Sequence, residues 1–328
     1  MNNDYLPLGD GTLEPSEISL FGEAYLKYEN FDTTFKAGRL LIDTPYANRA
    51  EGFMTPISYS GISITNQTHA NLKATFFHFF EIKNRRSDKF VNAGEFATGR
   101  IAGTPEKTFG TSTLGLEWTQ ENIKTQFWNY YMYDMMNLAY VEMEYKADSG
   151  DGFSPLMGFQ YIREDAVDDK LLGNVESDTF GLRIGFESAS TLVSIAANYT
   201  PTNRSKFRSG GYQAPWTLNT DPLYTNMMLE GMQVKPSADV GFAYKLLVAH
   251  QFNDQLLVRL SFAEYDLPES VGGMDSNEWN IEVFYKFEGW LKGFEIRNQM
   301  GQVDSRTPGR DLFEHRLQLQ YNFEFDAF

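Results

Sequence analysis

Nine basic residues, Lys27, Lys36, Lys73, Arg183, Lys245, Arg259, Lys286, Arg297 and Arg316, stand singly, most of them between apolar neighbours. In Phe180-Gly-Leu-Arg-Ile-Gly-Phe186, Arg183 separates Leu182 from Ile184, and Arg259 lies between Val258 and Leu260. Successive side chains of a strand point to opposite faces, so such cations share a polar face while their neighbours share an apolar one. A column of cations in a narrow, partly desolvated channel attracts carboxylates and hands them between weak sites. Acidic residues of the same parity, Glu23, Glu81, Glu117, Glu142, Glu144, Glu282, Glu295 and Glu324, keep a second reading open, in which ion pairs only brace neighbouring strands.

Other chemistries find little support. Cysteine is absent, which excludes disulfides, thiolate metal sites and cysteine nucleophiles. His69, His78, His250 and His315 are scattered and show no metal-ligand spacing. Gly94–Lys107 lacks the phosphate-cradling GxxxxGK[ST] pattern. Asp148-Ser-Gly-Asp-Gly152 lacks the closing glutamate of a calcium loop and reads as a turn, and no GxSxG elbow is present. The expectation is a protein without cofactor or metal and without enzymatic activity. A formal charge of −16 argues against nucleic acid as a partner.

The elements that would hold the cations are strands. The chain is 42% hydrophobic and 15% aromatic yet has a mean hydropathy of −0.41. Helical membrane spans need about 20 predominantly apolar residues each, and no window supplies one. A transmembrane barrel fits, because every second residue faces water. Leu317, Leu319, Tyr321, Phe323 and Phe325 alternate with Gln318, Gln320, Asn322 and Glu324 before the aromatic terminus Phe328. That is a two-faced closing strand whose ending resembles the assembly signal of bacterial outer-membrane barrels.

Period-two alternation between turn signals predicts about fifteen strands, at 18–29, 33–42, 57–66, 71–83, 111–119, 124–133, 138–147, 153–163, 177–187, 191–200, 238–252, 255–266, 277–288, 293–303 and 312–325. Their connections alternate between long (Asp43–Pro56, Asn84–Gly110, Glu164–Glu176, Asn203–Ser237, Leu267–Ser276, Asp304–Asp311) and tight, with Asp134–Asn137 as a tight exception. Loop length segregated by rim is characteristic of outer-membrane barrels, with long loops outside and turns in the periplasm. Trp118, Trp128, Tyr130, Tyr131, Tyr133, Trp279, Tyr285 and Trp290 fall near strand ends and read as interfacial girdles. If the last strand ends in the periplasm, the first predicted strand runs inward from outside. Such barrels have an even strand count with both ends periplasmic, so further strands are expected before Met1. Met1-Asn-Asn-Asp-Tyr5 has no leader-like character.

Leu26–Gly61 reads LKYENFDTTFKAGRLLIDTPYANRAEGFMTPISYSG. With Lys36 and Gly38 at a strand end, then Pro45, Asn48-Arg49 and a Pro56-to-Gly61 return, it resembles the early hairpin and loop of the OprD-type substrate-specific outer-membrane porins. The resemblance continues through Leu72–Lys83, Leu116–Tyr133, Asp178–Tyr199 and Glu278–Phe325. It implies an 18-stranded barrel, monomeric or loosely trimeric, with infolded loops narrowing the pore and a basic column on the wall. About three strands would then be missing from the fifteen. Arg49 is implied as a constriction residue, with Asp43 and Glu51 as candidate partners; Asn84–Gly110 and Asn203–Ser237 are further constricting loops.

The expectation is therefore an all-β chain forming a single transmembrane antiparallel β-barrel domain over residues 1–328, truncated at the amino terminus. It would be a passive or substrate-selective outer-membrane channel for small hydrophilic solutes, with small carboxylates or amino acids as the solute class. Expected surroundings are outer-membrane lipid, lipopolysaccharide and the barrel assembly machinery of a Gram-negative-type bacterium. A non-specific diffusion porin, a protease-like or lipase-like barrel enzyme, and a soluble β-protein or adhesin are the alternatives.

Overall fold

The computed structural model describes residues 21–50, 55–85, 87–148, 152–216, 221–229, 231, 240–271, 275–305 and 311–321. Fifteen long strands run in chain order. They are β1 (Ala24–Asn30), β2 (Thr33–Leu40), β3 (Ser58–His69), β4 (Leu72–Lys83), β6 (Thr111–Gln120), β7 (Ile123–Met132), β8 (Met136–Lys146), β9 (Ser154–Ala166), β10 (Glu176–Glu187), β11 (Thr191–Thr200), β12 (Gly241–Gln251), β13 (Leu256–Asp266), β14 (Ser276–Lys286), β15 (Phe294–Ser305) and β16 (Leu312–Tyr321). A two-residue strand, β5 (Val91–Asn92), and one helix, α1 (Ala93–Ile101), lie in the connection after β4.

Every long strand pairs antiparallel with its neighbour in the chain, giving one continuous meander from β1 to β16, with β5 added beside β4. Among the described residues β1 and β16 do not pair with each other. The predicted ranges match these strands closely, with β1 starting later, at Ala24, and β9 running on to Ala166. Residues 18–20 and 322–328 lie outside the described residues, and with them Phe323, Glu324, Phe325 and Phe328. Among the described residues no helix is long and apolar enough to cross a membrane.

The longest connections, between β2 and β3, β4 and β6, β9 and β10, β11 and β12, and β13 and β14, fall on one rim, whereas that between β15 and β16 is no longer than those between β8 and β9 and between β14 and β15 on the other. At the tight end of β1–β2, Phe31 and Asp32 both take positive φ, 44° and 55°, as a two-residue hairpin of primed type demands. The tight Asp134 exception also holds: Asp134 has φ 62° in the short link between β7 and β8.

Residues paired across antiparallel strands share a face, so the register fixes the two surfaces. The outer face is apolar and uncovered: Leu182, Ile184, Ile195, Leu246, Leu260, Leu317 and Leu319 are all exposed. A soluble sheet would bury such a face, whereas a lipid-facing band presents it. The inner face carries the cations and receives the loops. One predicted inner residue is corrected. Between Ser60 and Gly61 the register shifts, with Glu81 opposite Ser60 and Phe79 opposite Gly61. Phe80 is the extra residue of a β-bulge, and it turns Glu81 out of phase with Lys73.

Candidate functional site along the inner face

The register carries all nine predicted cations onto one face. Lys27 pairs with Lys36, Lys36 with Ser63, and Ser63 with Phe77, in phase with Lys73 and its partner Glu117. Arg183 opposes Ala196, Ala196 opposes Lys245, and Lys245 opposes Ala263, in phase with Arg259. Arg259 faces Glu282, Glu282 faces Gln299, and Gln299 faces Arg316. Lys286 and Arg297 fall on the same parity of β14 and β15, and a guanidinium facing lipid instead would cost about 2–4 kcal/mol.

These cations are not equivalent. Lys27 sits 2.5 Å from Glu29, Lys73 3.0 Å from Glu117 and Arg297 3.5 Å from Glu282. Arg183 pairs with Glu144, and Arg316 with Glu314. Lys245 Nζ donates to the carbonyl of Asn226 at 2.6 Å. Lys36 rests over the Tyr25 ring. Arg259 lies over Phe284 and, like Lys286, has no carboxylate partner among the described residues. The ion-pair reading thus accounts for five of the nine.

Above them the lumenal side is narrowed by the connection between β11 and β12. Its described residues, 201–216 and 221–229, thread across the inner face and are held by it residue by residue. Both carboxylate oxygens of Glu164 on β9 accept the Gln213 N–H, at 2.9 and 3.2 Å. Glu278 on β14 accepts the Leu229 N–H at 3.0 and 3.3 Å. Between these two clasps, Asn198 Oδ1 accepts from the Thr225 N–H and hydroxyl. Gln160 Nε2 donates to the Pro222 carbonyl, and the Tyr265 hydroxyl donates to the Thr225 carbonyl. Hydrogen bonds to a charged partner are worth about 1.5–3 kcal/mol each, so the two glutamate clasps dominate this attachment.

Glycines make room for the docked segment. A Cβ on Gly158 would collide with the Tyr224 hydroxyl, and one on Gly301 would lie 2.8 Å from Met228 Cε. Tyr224 also lies under the Arg183 guanidinium, 4.8 Å from ring centroid to Cζ.

Two other loops brace the first. Tyr46, from the connection between β2 and β3, packs edge-on to Tyr130, Tyr140 and Tyr212 at centroid distances of 5.5, 5.7 and 6.2 Å. Trp216 packs against Phe79 and stacks on Phe96 of α1. Asn92 caps α1, its side chain accepting the Gly94 N–H at 2.9 Å. Arg100, at the other end of that helix, donates to the Ala214 and Pro215 carbonyls.

The structure corrects the girdle expectation here. Trp128 and Tyr130 are buried on the inner face, in phase with Gln126 and stacked on each other, with Trp128 passing over Gly115. They are the floor beneath the infolded loops. Trp118 and Trp290 are exposed, as a membrane-interface residue would be.

Arg49 pairs with Asp43, Nε at 2.7 Å, within the same loop as Tyr46. Glu51, the other partner considered, lies outside the described residues. Burial raises the Tyr46 and Tyr212 phenols well above their ordinary range. It also pushes the Asp221 carboxyl up to about 6. Among the described residues no group of His, Asp or Glu is arranged to hold a metal ion.

With this geometry in view, a family model described as outer membrane porin, OprD family, matches residues 1–206. No curated protein matches the chain significantly. Several solved structures share its fold. OccAB4 of Acinetobacter baumannii has a TM-score of 0.76 at 16% identity, covering 90% of this chain and 73% of that one. OccK9 (OpdG) of Pseudomonas aeruginosa has a TM-score of 0.74 at 17% identity, over 90% and 74%. A BenF-like porin from Pseudomonas fluorescens Pf-5 has a TM-score of 0.76 at 14% identity, over 90% and 76%.

Proposed function

The chain belongs to the OprD family of outer membrane porins, and from that premise we propose that it passes small organic carboxylates, amino acids among them, along the cations of its inner face. It is a substrate-specific channel of the Gram-negative outer membrane, with lipid against its apolar outer face. Flux through such a pore follows the solute gradient, and the protein supplies selectivity rather than energy.

The observation that carries the carboxylate reading is the shared parity of Lys27, Lys36, Lys73, Arg183, Lys245, Arg259, Lys286, Arg297 and Arg316 beneath a docked loop. Water is confined there, so each charge acts over a longer range than on an open surface. Arg49, held by Asp43, belongs to the loop that braces the constriction and orients it at the pore entrance. Within the same proposal, residues 1–328 form one barrel domain without enzymatic activity. It is inserted by the barrel assembly machinery among lipopolysaccharide and works as a monomer or loose trimer.

Planar-bilayer recording of the purified protein under a salt gradient of sodium acetate tests the reading. Stepwise conductance with a reversal potential on the anion side is expected. Absence of steps, or a preference for sodium, overturns it.

A further inference from the structure

The docked segment begins in a left-handed turn. Arg208, Ser209 and Gly210 take φ of 45°, 58° and 81° in succession, a region that side chains rarely adopt, and only the third of them is a glycine. Such a backbone persists where its surroundings hold it. Here the connection between β9 and β10 does so from behind. The Phe207 N–H donates to the Asn174 carbonyl at 3.0 Å, Lys206 pairs with Glu176, and the Phe207 ring fills the space beside Gly173, 2.8 Å from where a Cβ would stand.

What the turn fixes is the direction of one side chain. Arg208 Nη2 donates to the Ile101 carbonyl at 3.1 Å. Ile101 is the last residue of α1, so its carbonyl receives no N–H from within the helix, and a cation is favoured there. From the helix side, Arg100 in the last turn of α1 donates from one nitrogen to the Ala214 and Pro215 carbonyls, at 3.0 and 2.9 Å. Adjacent residues of the helix therefore exchange hydrogen bonds with the segment in both directions. The contact also closes on the wall: Arg208 Nη1 reaches Gln213 Oε1 at 3.4 Å, and the Gln213 N–H is the one that Glu164 of β9 clasps. Residues 211–216, between the two arginine contacts, are buried.

We propose that Arg100 and Arg208 are positioning residues: together they form a reciprocal clasp that locks the α1 connection and the docked segment into one body, so that the narrowing has a single width. Neither acts on the solute directly. Each arm holds the acceptors of the other in place, and loss of one lets the helix end and the segment move separately. The inference goes beyond the carboxylate reading and does not depend on it, because any permeant ion reports the width of the path.

Single-channel recording in potassium chloride reads that width. The unmodified protein is expected to dwell on one dominant open level. Arg208→Gln and Arg100→Gln should each raise the share of time spent at other levels about fivefold, the order that loss of one hydrogen bond gives an opening equilibrium. The double replacement should match either single one, because a shared clasp is broken only once. Arg208→Lys keeps a charged donor and should return the dominant level. Heat-modified gel mobility, which reads the integrity of the barrel, should be the same in all of these variants. Unchanged level occupancy in both Gln variants overturns the proposal, as do effects that multiply in the double replacement, a Lys variant as unsteady as Arg208→Gln, or an altered barrel mobility, which would make the role one of wall stability.

Discussion

Two regions of the inner face, the wall around the docked segment and the turn end of β13–β15, use the same residue types for opposite ends. Beneath and beside the docked segment, charge and aromatic surface are consumed internally. Glu164 and Glu278 clasp backbone N–H groups, Lys245 holds a carbonyl, Arg183 is paired with Glu144 and covered by Tyr224, and Trp128, Tyr130 and Tyr46 are fully packed. At the turn end of β13, β14 and β15, Arg259, Lys286 and Phe284 line a cavity together with Asp254 and Glu295, and neither Arg259 nor Lys286 is in an ion pair among the described residues. A cation in a lumen is thus not evidence of a solute contact until its partners are counted.

The sharpest way to break the division is to remove the narrowing. Deleting residues 211–229 takes away the docked segment together with the groups that cover Arg183 and Lys245. Single-channel conductance should rise about twofold or more, because bore area limits current in a wide pore. An unchanged conductance would mean that the segment does not narrow the path.

A smaller effect follows from Asp221, which is buried within the docked segment, its Oδ1 accepting the Leu223 N–H at 3.2 Å. The groups that act on it are Tyr212, Asn226 and the Leu223 backbone of its own loop, with Tyr46 of the neighbouring loop close by. None is basic, so burial dominates and the carboxyl is raised to about 6. A group whose docked pKa lies above its free value of about 3.9 favours docking when protonated. That contribution is full below the free value and is lost as pH rises through about 6. Current noise from loop motion should therefore be lower at pH 5 than at pH 7. In Asp221→Asn that difference should vanish, with noise at the acid level throughout. Persistence of the pH response in the variant would place its origin elsewhere.

Much of the wall was legible before any coordinates. Alternation is a local property, so Leu182-Arg183-Ile184 announces both faces whatever the rest of the chain does. The docked segment was not legible to the same degree. Its attachments use backbone groups of Gln213, Pro222, Thr225, Asn226 and Leu229, and any side chain offers the same N–H and C=O. A loop arginine such as Arg100 carries no mark in the sequence of the Ala214 and Pro215 carbonyls it will meet. Trp128 and Tyr130 were misplaced for a different reason. Aromatics near strand ends suit both a membrane interface and a buried floor, and only their phase with Gln126, opposite to Phe127, separates the two. Phe284 carries the same phase signal, standing between Glu282 and Lys286 on the inner parity of β14. Glu81 required the Phe80 bulge, which alternation alone does not reveal.

The division between engaged and free cations is tested most directly by comparing two charge-removing variants in one measurement, the acetate reversal potential in planar bilayers. Arg259→Gln removes a free cation, while Arg183→Gln combined with Glu144→Gln removes a matched pair. The account predicts a clear shift away from anion preference for Arg259→Gln and an unshifted reversal potential for the paired replacement. A shift in the paired variant with none in Arg259→Gln would contradict it.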